Sequence, residues 1–376
     1  MTRILKNGLK QSVAIISSYA YIRGHNNYGS LFQYYALQQY LNKFGVEAYW
    51  IRYMFPIRSM VYDFLIKCFV ELRHGFRVSN IFSHVKVQAD FKSFMHRKCR
   101  ISEVKYRSIE QLYKFPPNAD FYVAGSDQVW GGCLEPNYLT FVPKDKLKIA
   151  YAASFGKSEL SYEHLKHITN WVKNFDAVSV REKSGISICD SMGVNAIQLL
   201  DPTLLLDDVD YISDNVQKIE KKKYVFCYFI NENNLNNLHF NHIWEFCREN
   251  GMKLKITGIE GPETVIPLKF LCRCSPDSWL NHYKYADYIV TNTFHGTVFC
   301  IIFKKQFCVL LQEGVSAKQN ERLLSILEIF GLQDRILKHN QSIKDVMERE
   351  IDWQYVESVK NEWRVKSDEF WNKIFK

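Results

Sequence analysis

The amino-acid sequence predicts an α/β fold in which parallel strands alternate with helices in two domains. The main observation is a repeated order of short apolar runs, each followed by a polar turn and then by a segment with helical spacing of apolar residues. The chain has 376 residues, a length that corresponds to two or three domains. Apolar residues make up 47% of it, so it can bury a large core.

The charge and the cysteines limit the functions to consider. The formal net charge of +9 suits an acidic substrate, an anionic membrane face or nucleic acid, and equally a basic solvated surface. Because the basic residues are dispersed and form no known reader motif, we expect no nucleic-acid partner. The ten cysteines include no CxxC pair, and Cys272 and Cys274 stand too close together for the usual zinc spacing. We therefore expect reduced thiols, no metal site and a cytoplasmic protein.

The first part of the chain predicts one βαβ unit. Residues 12–18 contain a run of apolar residues that indicates a buried strand, and a polar loop with glycine follows at 23–30. Residues 31–44 have apolar and aromatic side chains at helical spacing, and Gly45 is a typical helix stop. Residues 46–51 form a second strand, which completes the unit.

Residues 54–118 interrupt this alternation, and we interpret them as a helical insertion in the first domain. Within them, 60–72 is apolar except for three charged residues spaced four apart, and 96–107 is basic. One interpretation is an amphipathic helix in peripheral contact with the inner face of a membrane. The other is a core-facing helix with a solvated edge. The chain has no run of 18 apolar residues, so we expect no membrane-spanning segment.

The alternation resumes after the insertion and continues into a second domain. The segment 207–223 is polar and charged and predicts a domain boundary. We expect an N-terminal domain at 1–208, a C-terminal domain at 209–350 and a helical tail at 351–376 that packs back onto the body. The predicted strands are 121–124, 149–153, 177–180 and 196–200 in the first domain, and 224–230, 254–257, 288–291 and 307–311 in the second.

His295 is the leading candidate for a catalytic residue. It lies in a polar turn between the predicted strand 288–291 and a helix start, and open α/β sheets bind ligands at the carboxyl ends of their strands. Helix-start amides attract anions, and an imidazole can exchange protons near neutral pH. The alternative is a histidine that only caps the turn. We favour catalysis because small polar neighbours surround the ring, and we expect three of them to contact substrate: Thr293, Gly296 and Thr297.

A second candidate group follows the predicted strand 121–124. A glycine there allows close approach of the backbone, and Ser126, Asp127 and Gln128 come directly after it. We expect all three to contact a ligand, with Asp127 holding a sugar hydroxyl or acting as a base. The alternative is an ordinary helix N-cap by Ser126 or Asp127.

Arg181 follows the predicted strand 177–180 and precedes a predicted helix. A guanidinium at this place suits a carboxylate or a phosphate, which it binds with two hydrogen bonds. The alternative is an ion pair with an acid such as Asp201. We favour ligand binding.

Further candidates lie in two polar loops. Asn26 and Asn27 can present amides to a ligand, although a turn with a helix cap explains them equally well. Lys318 and Arg322 can reach an anion, and a role at the start of the next helix is the alternative. All four are included among the predicted substrate-binding residues.

From about residue 12 to 335 the chain resembles the polysaccharide pyruvyl transferase family. Six motifs in order carry the resemblance, at 27–33, 124–130, 151–156, 179–185, 200–205 and 293–299. The resemblance implies a GT-B-like fold, with two Rossmann-like domains facing a cleft. It implies phosphoenolpyruvate as the donor and a glycan or lipid-linked sugar as the acceptor. The product would be a pyruvate ketal on two sugar hydroxyls, with release of phosphate.

The resemblance also implies roles for single residues. The family's catalytic acid is a histidine followed by glycine, which matches His295, and its arginine in a Val-Arg-acid stretch matches Arg181. In several members another arginine stands two places before the histidine, where this chain has Thr293. Lys318 or Arg322 would then supply the missing phosphate-binding cation.

The implied reaction agrees with the chemistry of the candidate residues. A protonated His295 can supply a proton to the donor, and Asp127 can take the proton of the sugar hydroxyl. Cationic side chains can neutralise the leaving phosphate, so we expect no cofactor beyond phosphoenolpyruvate as co-substrate. Two alternatives stay open: a GT-B-type glycosyltransferase that uses a nucleotide sugar, and a non-catalytic glycan-binding member.

Overall fold

A computed structural model describes residues 5–6, 9–18, 27–54, 78–259, 265–339 and 341–375 of the chain. It divides into two compact units. The first comprises Met1–Leu205 together with Trp363–Lys376, and the second comprises Leu206–Glu362. The expected boundary at 208/209 lies three residues after this division, and the last residues of the chain belong to the first unit.

The first unit is built on a seven-stranded sheet. Its order is β5-β4-β3-β6-β7-β8-β9, and every neighbouring pair is parallel. A short antiparallel pair, β1 (Leu5–Lys6) and β2 (Leu9–Lys10), precedes it. The strands of the sheet are β3 (Ser12–Ile16), β4 (Glu47–Tyr53), β5 (Ile101–Tyr106), β6 (Phe121–Ala124), β7 (Leu147–Ala153), β8 (Ala177–Val180) and β9 (Ile197–Gln198).

Helices connect these strands in the crossovers that parallel pairing requires. They are α1 (Tyr28–Asn42), α2 (Val78–Lys98), α3 (Ile109–Lys114), α4 (Tyr162–Val172) and α5 (Lys183–Ser191). The central strands β3 and β6 are apolar along their length and buried, as is typical of strands covered on both faces. This burial explains why their apolar runs predict them directly.

The predicted helical insertion at 54–118 is wrong at residues 101–106, whereas α2 and α3 within it are helices. Ile101–Tyr106 forms the edge strand β5, which pairs with β4, and α3 follows it. The mixed apolar and charged sequence of β5 reflects its place at the edge of the sheet, where charged side chains can remain in water. The predicted amphipathic helix at 60–72 lies outside the described residues.

The second unit contains a four-stranded parallel sheet with the order β11-β10-β12-β13. Its strands are β10 (Tyr224–Ile230), β11 (Lys253–Ile259), β12 (Tyr288–Thr291) and β13 (Gln306–Val309). Its helices are α6 (Asp208–Tyr211), α7 (Phe240–Glu249), α8 (Pro276–Tyr285), α9 (Phe294–Ile302), α10 (Asn320–Ile329) and α11 (Ile343–Met347).

The helix α12 (Trp353–Ile374) ends the chain. Its C-terminal part packs within the first unit, where the buried Trp371 ring stacks on Tyr151 with centroids 5.3 Å apart. Both units are therefore Rossmann-like α/β folds of parallel strands and connecting helices. Among the described helices, none combines the length and the apolar character needed to cross a membrane.

Candidate functional site

His295 lies at the carboxyl edge of the second unit's sheet. β10 and β12 run parallel, so their carboxyl ends meet at this edge, and two residues separate the end of β12 from the start of α9. Thr293 caps α9, because its hydroxyl accepts a hydrogen bond from the Gly296 amide at 2.8 Å. His295 therefore occupies the second position of the helix, where its side chain is 8% exposed. The predicted strand–turn–helix arrangement is present.

A chain of hydroxyl groups fixes the turn before α9. The Thr291 hydroxyl donates to the Tyr228 carbonyl at 2.7 Å and accepts from the Thr293 amide at 3.2 Å. The Thr297 hydroxyl donates to the Thr293 carbonyl at 3.1 Å. Thr293 and Thr297 thus hold the shape of the turn that carries His295, and their contact with substrate stays a prediction.

Gly296 is required by close packing. A Cβ atom at this position would lie 2.1 Å from the Thr291 hydroxyl oxygen and 2.4 Å from that of Thr293, far below any normal contact. The glycine beside His295 thus allows the first turn of α9 to lie directly on the end of β12.

Two residues of this edge are not among the predicted site residues. Asn292 joins the turn to β10, since its side-chain amide accepts from the Ile230 amide and donates to the Ile230 carbonyl, both at 2.9 Å. Gln312 follows β13 and donates to the Asn292 carbonyl at 3.0 Å. Its own Oε1 atom is buried and has no hydrogen-bond partner among the described residues. That oxygen can accept a hydrogen bond from a hydroxyl group. In the sequence, the indication that Gln312 belongs to this site is only that it follows a strand of the same sheet.

The predicted cations of the second unit differ in their surroundings. Lys318 lies in a turn of 3₁₀ helix, Gly314–Gln319, and is exposed. Arg322 is buried in the first turn of α10, and its Nη2 donates to Gln319 Oε1 at 2.9 Å. The helix-start position given as the alternative is thus present for Arg322. Phosphate binding by either cation stays a prediction.

In the first unit, the strand β6 ends in a sharp turn. Gly125 has a φ angle of +125°, and a Cβ atom there would lie 2.2 Å from the Tyr151 carbonyl oxygen. Asp127 also has a positive φ angle, of 68°. The residues after Asp127 form turns, so the alternative of a helix N-cap at Ser126 or Asp127 is wrong. The turn instead places both side chains inside the unit.

Ser126 is completely buried and bonded on every side. Its hydroxyl donates to the Ala152 carbonyl at 2.9 Å, and its amide donates to Gln33 Oε1 at 3.1 Å. Its carbonyl accepts from the Ser17 hydroxyl at 2.9 Å. These contacts give Ser126 a role in holding the turn. Gln128, by contrast, is exposed. Ligand contact by either residue stays a prediction.

Arg181 lies at the centre of a buried ionic cluster. Its Nη1 donates to Asp201 at 2.9 Å and lies 3.8 Å from Asp127 Oδ1, and its Nε donates to Glu182 at 2.8 Å. The Arg181 residue is only 4% exposed. Burial disfavours its charge, but the three neighbouring carboxylates outweigh burial and raise the pKa of the guanidinium.

The ion pair with Asp201, given as the alternative role of Arg181, is therefore present. Three carboxylates surround one guanidinium, so Arg181 already has acidic partners, Asp127 among them, without a ligand. A direct contact between Arg181 and a ligand stays a prediction.

Asn27 caps the start of α1. Its side-chain oxygen accepts from the Ser30 amide at 3.1 Å, so the alternative of a helix cap is confirmed for Asn27. The Ser30 hydroxyl in turn donates to Asp127 Oδ2 at 2.6 Å. Neither Ser30 nor Gln33 is a predicted site residue, although both lie within the motif at 27–33. Asn26 lies outside the described residues.

The expectation that the chain has no metal-ligand cluster is corrected by the fold. Cys272, Cys274 and His282 bring one ligand atom each to within 4.8 Å of one another. The Cys272 and Cys274 sulfur atoms lie 3.7 Å apart, and contacts with Cys272 and His282 lower the pKa of the Cys274 thiol against the effect of burial. The histidine is distant enough in the sequence that cysteine spacing alone does not predict the group.

Comparison with known protein families assigns the chain. The sequence model described as polysaccharide pyruvyl transferase matches residues 27–313, which is most of the chain. The match includes the turn after β6 and the turn that carries His295. The chain belongs to the polysaccharide pyruvyl transferase family. The match begins at the Asn27 cap of α1 and ends just after Gln312, so the ionic cluster and the His295 turn both lie within the family region. No curated protein sequence matches the chain.

Solved structures support a GT-B-like fold for this family member. The UDP-GlcNAc 2-epimerase from Neisseria meningitidis, bound to UDP-GlcNAc, has a TM-score of 0.50 and 10% identity, over 96% of this chain and 99% of that one. A putative UDP-N-acetylglucosamine 2-epimerase from Listeria monocytogenes has a TM-score of 0.50 and 7% identity, over 94% and 90%. At such identities the similarity concerns the fold alone.

Proposed function

We propose that the protein transfers an enolpyruvyl-derived group from phosphoenolpyruvate to a sugar of a surface glycan or of its lipid-linked precursor. The product is a pyruvate ketal. Membership of the polysaccharide pyruvyl transferase family carries this proposal. The position of His295 supports it, because a histidine at a helix start on the carboxyl edge of a parallel sheet suits acid–base chemistry on an anion.

The reaction needs one proton donor and one proton acceptor in its first step. The methylene carbon of phosphoenolpyruvate gains a proton and becomes a methyl group, while a sugar hydroxyl attacks the adjacent carbon and loses its proton. In the second step the C–O bond to phosphate breaks, a second hydroxyl of the sugar bonds to the same carbon, and the proton of that hydroxyl passes to the departing phosphate. The products are the ketal and inorganic phosphate.

His295 is the proposed donor of the first proton. A histidine in its acid form is a common general acid near neutral pH. The amides at the start of α9 attract the phosphate dianion of the donor. Lys318 and Arg322 in the same unit are the proposed source of further positive charge for the donor.

Asp127 is the proposed acceptor of the hydroxyl proton. The nearby guanidinium of Arg181 favours the ionised form of this carboxylate, and the Ser30 hydroxyl fixes the orientation of its Oδ2 atom. In this account Arg181 positions Asp127 and keeps it charged.

A donor screen tests the proposal. The full-length protein is incubated with phosphoenolpyruvate or with nucleotide sugars against a panel of simple glycosides, and the products are analysed by mass spectrometry. Phosphate release together with a glycoside heavier by pyruvate less one water supports pyruvyl transfer. Turnover of a nucleotide sugar alone would instead identify a glycosyltransferase, and binding without turnover of any donor would identify a non-catalytic member.

A further inference from the structure

The second unit holds a cluster of soft ligands away from the edge that carries His295. Cys272 follows Leu271, which forms a parallel bridge with Ile256 in β11. The Cys272 amide donates to the Ile256 carbonyl at 2.7 Å, and the Ile256 amide donates to the Phe270 carbonyl at 2.8 Å. This short ladder fixes the backbone of Cys272 beside β11.

The other two members of the cluster are fixed by the helix α8. Cys274 directly precedes Ser275, whose hydroxyl caps α8 by accepting from the Ser278 amide at 3.1 Å. His282 lies in the last turn of the same helix. Its ring stacks on Phe226 with centroids 4.7 Å apart, which holds the plane of the imidazole.

The geometry is that of a metal site. The Cys272 and Cys274 sulfur atoms are 3.7 Å apart, and a ring nitrogen of His282 lies within 4.8 Å of both. Two thiolates on one tetrahedral zinc ion are about 3.8 Å apart when each Zn–S bond is about 2.3 Å. A disulfide would require about 2.05 Å. The sulfur atoms, which a hydrogen bond joins here, thus stand at a separation that also suits a shared zinc ion.

Burial and a second layer of contacts agree with this geometry. Cys274 is 1% exposed and His282 is 6% exposed, whereas Cys272 is partly exposed. The Nδ1 atom of His282 lies 3.4 Å from the Tyr224 hydroxyl. An outer partner of this kind is typical for a histidine that binds a metal through its other nitrogen.

We propose that Cys272, Cys274 and His282 bind one zinc ion, with water as the fourth ligand. Two thiolates and one imidazole form a ligand set that suits zinc. The cluster lies near Tyr224, the first residue of β10, whereas His295 follows the opposite, carboxyl ends of the strands. The ion therefore fastens the segment before α8 to that helix and takes no part in the chemistry at His295.

Cobalt substitution tests this proposal on the full-length protein. The chain is stripped of metal under reducing conditions and titrated with Co²⁺ alone, which reports thiolate ligands by charge-transfer bands and tetrahedral geometry by its d–d bands. We expect one Co²⁺ per chain, and complete displacement of it by one equivalent of Zn²⁺. The spectrum of the wild-type protein is informative even if a variant fails to fold.

Three ligand variants, one control and one variant of the outer partner Tyr224 assign the ligands. Cys272→Ser, Cys274→Ser and His282→Gln should each weaken Zn²⁺ binding by more than about 100-fold, above the 10–100-fold loss typical of changes to outer partners. Cys133→Ser removes an exposed thiol of the first unit and should leave the titration unchanged. Tyr224→Phe should weaken binding by about 10-fold, at the lower end of that range.

Each of the following results would overturn the proposal. The first is a wild-type chain that binds no stoichiometric Co²⁺ or Zn²⁺. The second is a Cys274→Ser variant that keeps the thiolate bands and the wild-type affinity. The third is selective binding of Cu⁺ without Zn²⁺, or a metal-free chain in which intact-mass analysis under non-reducing conditions finds Cys272 and Cys274 joined as a disulfide.

Discussion

The Ser30 hydroxyl donates a hydrogen bond of 2.6 Å to the Asp127 carboxylate. This bond joins the start of α1 to the turn after β6, two segments that are far apart in the sequence. On its other oxygen, Asp127 lies 3.8 Å from the Arg181 guanidinium. A buried carboxylate held from two sides has a fixed orientation, which general-base catalysis requires.

Asp127→Asn should remove the proposed base with little change of shape. The amide oxygen can still accept from Ser30, but it cannot take a proton from a sugar hydroxyl. We expect kcat to fall by about 10²–10⁴, the usual contribution of a positioned base. Initial rates of phosphate release give this value, with Ser30→Ala as a control that weakens the orientation and keeps the carboxylate. A folded Asp127→Asn protein with the wild-type rate would exclude Asp127 as the base.

Arg181→Ala should destabilise the first unit strongly. The substitution leaves the carboxylates of Glu182, Asp201 and Asp127 buried together without their cation, and loss of one partner of a buried pair costs about 3–5 kcal/mol. Urea unfolding measures the change in the free energy of unfolding.

The matched control for Arg181 is Arg100→Ala. Arg100 forms an ion pair of 2.6 Å with Glu47, but both side chains are largely exposed, so its loss should cost at most about 1 kcal/mol. If the two substitutions lowered the free energy of unfolding equally, the account of Arg181 as the cation that stabilises the buried cluster would be contradicted.

Gly296→Ala should disturb the turn that carries His295. The new methyl group would overlap the Thr291 and Thr293 hydroxyls, and forcing an added carbon into close-packed surroundings costs about 1–3 kcal/mol. We also expect activity to fall, because relief of the overlap moves the first turn of α9.

Gly132→Ala is the control for Gly296, since a Cβ atom at Gly132 would meet nothing within 4 Å. Its effect on the thermal midpoint should be negligible. If both alanine variants melt together with the wild-type protein, the packing argument for the glycine after His295 fails.

Trp371→Ala should detach the end of α12 from the first unit. Trp371 is fully buried against Tyr151, and truncation of a buried tryptophan to alanine costs about 3–5 kcal/mol. Val365→Ala on the same helix changes an exposed side chain and should stay within about 0.5 kcal/mol of wild type. Chemical unfolding of both variants distinguishes packing from the helix propensity of alanine. A Trp371→Ala protein as stable as the Val365→Ala protein would contradict the packing.

Four of the strands could be predicted to the residue. The bounds of β6, β8, β10 and β12 coincide with the predicted runs, because strands buried on both faces are apolar along their length. The edge strand β5 was beyond this criterion, since most of its residues are partly or fully exposed and two of them are charged. The segment directly follows a helical sequence pattern, and only its pairing with β4 identifies it as a strand.

The candidate site was only partly predictable for a related reason. A strand followed by a polar turn and a helix start places His295 from local sequence alone. The contacts of Ser30 with Asp127, of Arg181 with three acids, and of His282 with two cysteines depend on how separate segments pack. For Arg181 the sequence leaves two partners open, a ligand and Asp201, and the packing supplies the second.

The proposed function depends most directly on His295 as the acid that protonates phosphoenolpyruvate. The decisive measurement compares phosphate release from phosphoenolpyruvate by wild-type and His295→Gln protein, with an acceptor glycoside from the donor screen. Glutamine keeps a polar side chain but cannot donate a proton as an acid, so the rate should fall by about 10²–10⁴ while the thermal midpoint is unchanged. A His295→Gln protein that releases phosphate at the wild-type rate would contradict the account.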